Sequence, residues 1–191
     1  RPNVHFVLLS ERPERLLPTI RSRCQRVRFS RLPNAVLARI LERHGVPPAS
    51  REPALALASG RADRALALCE NDRAQQVAQW TLRIDEALAR PNSGVLLDLA
   101  SELASAADRA LVLESLQTFY RDVAARALGV PAAELAWGGR AELLEARSLE
   151  LAASTAAARV ARLQQIGEDI ERNANPEIAL DGALFALAAR A

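Results

Sequence analysis

The segment from Leu16 to Gln25 carries the side chains best suited to chemistry in this chain. It reads L-L-P-T-I-R-S-R-C-Q, so Arg21 and Arg23 flank Ser22, and Cys24 follows. A guanidinium is planar and always charged, and its two-pronged set of donors fits phosphate oxygens. Arginines placed in this way stabilise the charge that spreads during phosphoryl transfer. The alternative is that Arg21 and Arg23 merely solvate the edge of a strand.

Other side chains offer little for catalysis. The two histidines are His5, inside an apolar run, and His44, near a helix end, and we expect both to be structural. Glu168 and Asp169 are adjacent on a predicted helix and point in different directions, so they are typical of a solvated face. The chain has no lysine, which excludes a phosphate-binding loop of the G-x-x-x-x-G-K-[ST] kind within it. We therefore expect this chain to bind no nucleotide cofactor itself.

Composition favours a folded intracellular protein. The chain has 191 residues, half of them apolar, and all 25 basic residues are arginine. It contains no run of about 18 apolar residues, so no membrane span is predicted. Cys24 and Cys69 are too few for a disulfide framework or a four-ligand zinc site, which favours a reducing cytoplasm and no metal. Since the sequence opens at Arg1 without methionine, we expect an upstream portion to be missing.

Charge is distributed unevenly along the chain. Residues 1–31 hold eight arginines and two glutamates, a local balance of +6, although the whole chain carries only +2. The remainder, residues 32–191, must then sum to −4. A basic segment ahead of a mildly acidic body favours an anionic partner at the amino-terminal end, either phosphate or an acidic protein. A solvated arginine-rich surface would give the same balance.

These candidate residues need elements to position them. Val4 to Leu9 is a short apolar run typical of a strand buried in a parallel sheet, whose neighbours would lie upstream. We predict a short helix over Leu16 to Arg21 and a second short strand at Val27 to Phe29. Leu32 to Asn34 then marks a boundary.

Helical patterns dominate from Asn34 onward. Asn34 and Ser50 are expected to begin helices, Gly45 and Gly60 to end them, and Asn175 to cap the last one. The long central helix places Val112, Leu116, Phe119, Tyr120, Val123 and Ala127 on one apolar stripe. The predicted helices span 34–45, 50–58, 62–70, about 72–89, 93–104, 108–127, one or two across 139–172, and 176–189.

The decapeptide from Leu16 closely resembles the L-L-P-T-I-x-S-R-C-Q motif of bacterial clamp-loader subunits, a branch of the AAA+ family. In that family the motif follows the sensor-1 strand, and its arginine reaches the ATP bound by a neighbouring subunit. The resemblance therefore implies that Arg23 is an arginine finger acting in trans. It also implies that Arg21, Ser22 and Cys24 lie at the same interface.

A second resemblance concerns the sensor-2 motif of the ATP-hydrolysing subunits, G-S-x-R-D-A-L. The matching stretch from Gly60 to Leu66 reads G-R-A-D-R-A-L and places Asp63 where those subunits have the nucleotide-contacting arginine. A carboxylate there would repel the γ-phosphate, which favours the delta-prime type over the gamma/tau type. Shifting the alignment by one residue would put Arg64 in that place instead.

The last resemblance lies near the carboxyl end, where N-A-N-P-E-I-A-L from Asn173 is similar to the opening of the final collar helix. The family then implies a mainly α chain: residues 1–31 end an AAA+ α/β domain, 32–70 form a three-helix lid, and 71–191 form a helical collar. Implied partners are the gamma/tau and delta subunits and, through the complex, a sliding clamp and primed DNA. Rival interpretations are a gamma/tau-type ATPase subunit, and a helical interaction module unrelated to nucleotide.

Overall fold

The computed structural model describes residues 4–10 and 13–189. The chain divides into two compact units, Arg1–Ser30 and Arg31–Ala191. The mainly helical class is confirmed, and none of the described helices is long and apolar enough to cross a membrane. The helices are α1 (Pro18–Arg21), α2 (Asn34–Arg43), α3 (Pro48–Leu57), α4 (Ala62–Leu68), α5 (Arg73–Ala89), α6 (Ser93–Ser105), α7 (Arg109–Ala127), α8 (Ala141–Glu150), α9 (Ala153–Glu171) and α10 (Pro176–Ala188), with 3-10 turns at Pro13–Arg15, Glu70–Asp72, Ala132–Glu134 and Gly138–Arg140.

The first unit lacks the two predicted strands. Val4 to Leu9 and Val27 to Phe29 have no strand assignment, and no β-ladder forms among the described residues. The side chains of Phe6 and Phe29 are 87% and 90% exposed. A strand needs partner N–H and C=O groups beside it and apolar cover on its faces, and no other described segment supplies either. Both strand predictions are therefore wrong for the chain as it stands.

Of two predicted helix starts in the second unit, one is confirmed and one is displaced. Asn34 begins α2, although its side chain does not cap the helix, whereas α3 begins at Pro48 and not at Ser50. Proline presets a backbone angle suited to a helix start, so the chain enters each helix at or just after it. Ser50 is instead buried, and its hydroxyl accepts a hydrogen bond of 2.9 Å from the side-chain amide of Gln75.

The two predicted glycine stops are confirmed. Gly45 has a φ of 73° just after α2, where the amide of Val46 donates to Leu41 O and that of Gly45 to Glu42 O. This pair of hydrogen bonds satisfies two carbonyl groups at the end of α2 and closes the helix. Gly60 has a φ of 77°, and a Cβ there would lie 2.5 Å from the Cβ of Arg31. Only glycine fits the turn between α3 and α4.

Helix α7 lies at the centre of the second unit. It packs against α5, α8 and α9, while α10 packs on α6 and α9. Val112, Leu116, Phe119, Tyr120 and Val123 are all buried, as the apolar stripe predicts, whereas Ala127 at its end is exposed and does not belong to the core.

The last helix starts as its sequence predicts. Asn175 Oδ1 accepts hydrogen bonds from the amides of Glu177 at 2.9 Å and Ile178 at 3.4 Å, and Pro176 takes the first helical position. The same core continues from α2 to α10. The division of this unit into a lid (32–70) and a collar (71–191) therefore stays a prediction.

Candidate arginine site on the first unit

A single helical turn positions the arginine pair. Leu17 is extended, with φ −53° and ψ 137°, and Pro18 follows it as the first residue of α1. The amides of Ile20 and Arg21 both donate to Leu17 O, at 3.0 and 3.1 Å. The L-P sequence therefore starts the turn, because proline favours the first helical position and has no amide to leave unpaired.

The end of this turn fixes the backbone of Arg23. The amide of Ser22 donates to Pro18 O at 2.9 Å, and that of Arg23 to Ile20 O at 3.1 Å. The hydroxyl of Ser22 also donates to Thr19 O at 3.2 Å. Small polar residues often close a turn through such local bonds. These hydrogen bonds to neighbouring residues hold the main chain of Arg23 in place, and its side chain is exposed to solvent.

Both guanidiniums of the pair are available to a partner. Arg21, Arg23 and the free thiol Cys24 are exposed, and neither guanidinium has a hydrogen-bond or ion-pair partner in residues 4–10 and 13–189. Arg26 and Arg28 are equally exposed. Exposure is a necessary condition for a trans-acting arginine, but it does not distinguish Arg23 from its neighbours.

The first unit is strongly cationic around this turn. Residues 13–30 hold five arginines against Glu14, a local balance of +4. Clustered like charges raise the local concentration of anions and speed their encounter. The described part of the unit therefore offers a positive, solvent-facing segment with no internal carboxylate placed to neutralise Arg23.

Asp63 lies on the second unit, in the first turn of α4. Its carboxylate accepts hydrogen bonds from the Arg61 guanidinium at 2.7 and 3.3 Å. That contact, followed by the backbone amide of Arg64, lowers the pKa of Asp63 from 3.8 to about 2. The side chain is exposed and ionised at neutral pH, so the position that the resemblance aligns with a sensor-2 arginine carries a negative charge in this chain.

Arg64, which the shifted alignment would place at the sensor-2 position, already forms an ion pair. Its Nη2 lies 2.6 Å from Glu114 Oε2 and so joins α4 to the central helix α7. The two side chains line a shallow pocket of about 350 Å³ together with Arg73 and Asp108, which form their own ion pair at 2.5 Å. Contact between Arg64 and a nucleotide would require this bond to Glu114 to break.

A buried polar network crosses the second unit and was missed at the sequence level. Asp85 of α5 is 2% exposed and accepts from the Tyr120 hydroxyl at 2.9 Å and from Arg147 Nε at 2.7 Å. Arg159 Nη1 donates to the same hydroxyl at 3.1 Å. Burial, and then the adjacent Asp85 charge, raises the pKa of Tyr120. The sequence feature that could have revealed this network is Asp85 itself. This carboxylate lies four residues after Thr81 and three residues before Leu88, and both of these residues are buried.

The second buried carboxylate of this unit is Asp122, which lies on α7. Its side chain is 3% exposed, and Oδ2 accepts the amide hydrogen of Trp137 at 2.8 Å. Burial raises its pKa, although the Trp137 amide and the Arg121 charge oppose that effect. Asp122 therefore anchors the segment between α7 and α8 to the core.

Comparison with known proteins points to one family over the first unit. Residues 1–33 match the family model described as DNA polymerase III, delta subunit, while residues 34–191 lie outside that match. No curated protein matches the chain. The matched stretch contains the whole decapeptide from Leu16 to Gln25, including Arg23. The match thus supports a relationship between this chain and the DNA polymerase III clamp-loader family.

Proposed function

We propose that this chain belongs to a delta-prime-type subunit of the DNA polymerase III clamp loader, in which Arg23 contacts ATP held by a neighbouring gamma/tau-type subunit. The observation that carries the proposal is the position of Arg23. It lies inside the family match of residues 1–33, on an exposed turn, with no partner for its guanidinium among the described residues.

The chemistry of Arg23 suits this role. A free guanidinium on a tied-down turn can form a bidentate contact with phosphate oxygens and stabilise charge in the transition state. The chain supplies no lysine for a phosphate loop, so the ATP in this proposal is bound by the neighbour and not here. Arg21, Ser22 and Cys24 then lie at the subunit boundary, where Ser22 helps to hold the turn.

Two contacts on the second unit support the delta-prime type over the gamma/tau type. Asp63 is ionised and paired with Arg61, and Arg64 is held by Glu114. Neither residue offers a free positive charge to a γ-phosphate. In the proposal this region is a degenerate sensor-2 motif, and its Gly60 is needed for the positive φ of the turn between α3 and α4.

The helices from α5 to α10 would serve as the collar that holds the loader ring together. They carry large apolar side chains that their own unit leaves uncovered, among them Leu128 at 78%, Leu149 at 80% and Ile178 at 71% exposure. Such side chains would contribute to contacts with the gamma/tau and delta subunits. Acting through that assembly, the subunit would help close a sliding clamp on primed DNA in the cytoplasm.

The proposal is tested by placing Arg23→Ala in the full-length subunit and reconstituting the loader. We expect the complex to assemble normally, because the exposed side chain forms no hydrogen bond or ion pair with the described residues, while clamp- and DNA-stimulated ATPase activity falls. Arg28→Ala is the matched control, since Arg28 is an equally exposed arginine of the same unit and lies outside the decapeptide. Unchanged ATPase activity in the Arg23 variant would favour the interaction-module interpretation.

A second measurement tests whether this chain binds nucleotide by itself. Isothermal titration of this 191-residue chain with ATP and Mg²⁺ is expected to give no binding heat, because the chain lacks a phosphate-loop lysine and its sensor-2 position is acidic. A micromolar dissociation constant would contradict the proposal that the ATP is bound by the neighbouring subunit and not by this chain.

A further inference from the structure

Helices α9 and α10 enclose a pocket of about 280 Å³ that no part of the proposed function uses. Its polar lining consists of two guanidiniums and a hydroxyl, and no carboxylate is among the described lining residues. The pocket is lined by Thr155, Ala158, Arg159, Arg162, Ala186 and Leu187.

Arg159 lines this pocket and is buried, with no carboxylate of residues 13–189 in an ion pair with it. It is 4% exposed, and its acceptors are two neutral groups, the Tyr120 hydroxyl at 3.1 Å and Leu187 O at 3.3 Å. Its Nε has no hydrogen-bond partner within residues 13–189. A buried guanidinium normally has its donors satisfied and its charge paired.

Two carboxylates of this region, Asp85 and Glu150, form ion pairs with another arginine. Asp85 and Glu150 both pair with Arg147, at 2.7 and 2.5 Å, so Asp85 reaches Arg159 only through the Tyr120 hydroxyl. At the pocket rim, Arg162 is exposed and has no ion-pair partner in the described part of the chain. Two positive charges therefore face one small cavity whose described lining residues carry no negative charge.

The size and walls of the pocket narrow the class of ligand. At about 280 Å³ it is at the lower limit of small-molecule sites, and it suits a single side chain better than a nucleotide. Methyl groups of Ala158, Ala186 and Leu187 would cover an aliphatic stem, while the planar guanidiniums fit a carboxylate head. Thr155 adds a hydroxyl donor.

We propose that the pocket between α9 and α10 binds an acidic side chain, a glutamate or aspartate, presented by a partner protein. The carboxylate would lie between Arg159 and Arg162 and would provide the counter-ion that Arg159 lacks among the described residues. This assignment uses no residue of the arginine turn, so it stands or falls separately from the nucleotide role of Arg23.

The probe for this site is blocked glutamate, N-acetyl-glutamate N-methylamide, titrated into the chain while the side-chain N–H signals of its arginines are followed by NMR. We expect the Arg159 and Arg162 signals to shift saturably, with a dissociation constant in the millimolar range. Blocked glutamine, which has the same shape and no charge, is expected to leave them in place. Arg162→Gln should weaken binding about tenfold, as the loss of one charge-assisted bond implies.

Two further variants guard against indirect effects. Ala186→Leu should fill the cavity and abolish the shifts while leaving both arginines in place, with the fold checked by circular dichroism. Arg39→Gln, an exposed helical arginine outside the pocket, should leave the affinity unchanged. The proposal is overturned if no signal saturates, if blocked glutamine binds equally well, if Arg39→Gln weakens binding as much as Arg162→Gln, or if inorganic phosphate binds more tightly than blocked glutamate.

Discussion

At the scale of single residues, environment sets what each charged group can do. Arg23 and Arg159 carry the same guanidinium, yet one is exposed on a cationic turn and the other is 4% exposed beside a tyrosine hydroxyl. Arg23 can bind a phosphate without breaking a hydrogen bond or ion pair to any described residue. Arg159 instead donates hydrogen bonds to the Tyr120 hydroxyl and to Leu187 O inside its unit. Residue type alone predicts neither role, which is why the sequence pointed to Arg23 through its motif and passed over Arg159.

Two aspartates are predicted to titrate in opposite directions. Hydrogen bonds from Arg61 hold the pKa of Asp63 at about 2, whereas burial raises the pKa of Asp122 above its usual 3.8. The ionised Asp63 therefore stabilises the fold above pH 3.8, and this contribution is lost as pH falls through about 2. Ionised Asp122 lowers the free energy of unfolding, so its cost appears as pH rises from 3.8 through its folded pKa.

Carboxyl carbon NMR over an acid titration measures both pKa values in one sample. We expect the Asp63 signal to move last as the pH falls and the Asp122 signal to move first. In an Arg61→Gln variant, the Asp63 midpoint should rise toward 3.8 while that of Asp122 stays in place. Coincident midpoints for the two groups in the unsubstituted chain would contradict this account.

At the scale of elements, local signals predicted helices well and strands poorly. A helix satisfies its backbone within one segment, so the patterns from Asn34 onward could be recognised without knowing their neighbours. The strand predicted at Val4 to Leu9 depends on partners outside the segment, and none is present among the described residues. The start of α3 was misplaced because Pro47 and Pro48, and not Ser50, set where the helix begins, whereas Asn34 begins α2 as predicted.

The two glycine stops allow a matched prediction. Gly60→Ala combines a positive φ of 77° with a Cβ placed 2.5 Å from Arg31, whereas Gly45→Ala has a similar φ of 73° and open space around it. We expect Gly45→Ala to lower the free energy of unfolding by about 1 kcal/mol, from backbone strain alone. Gly60→Ala should cost clearly more. Urea unfolding of both variants measures the difference, and equal losses would show that the close approach to Arg31 is easily relieved.

At the scale of the whole molecule, the second unit is held together by one apolar core with a polar network inside it. Asp85, Tyr120, Arg147 and Arg159 come from four helices, and the carboxylate and its ion-pair partner are 62 residues apart. No local pattern predicts such a pairing, since it depends on how the helices pack. The family motifs predicted a role for the first unit, while the pocket between α9 and α10 became visible only in three dimensions.

The network predicts unequal costs for two carboxylates that bind the same arginine. Asp85 has a side chain 3% exposed and Glu150 one 62% exposed, and both pair with Arg147. Asp85→Asn should lower the free energy of unfolding by about 3 kcal/mol, because it removes the buried carboxylate charge that accepts from both the Tyr120 hydroxyl and Arg147. Glu150→Gln should cost less than about 1 kcal/mol, as is usual for an exposed pair. Thermal or urea unfolding gives both values, and similar losses would mean that the buried network contributes little.

The central claim is that Arg23 acts on another subunit's ATP, and single-turnover ATP hydrolysis by the reconstituted loader tests it most directly. Arg23→Lys keeps the charge and removes the planar fork, so both it and Arg23→Ala should slow hydrolysis at the adjoining site by about 10³-fold or more. Arg28→Ala should leave that rate unchanged. Hydrolysis at the normal rate in a fully assembled loader that carries Arg23→Ala would contradict the account.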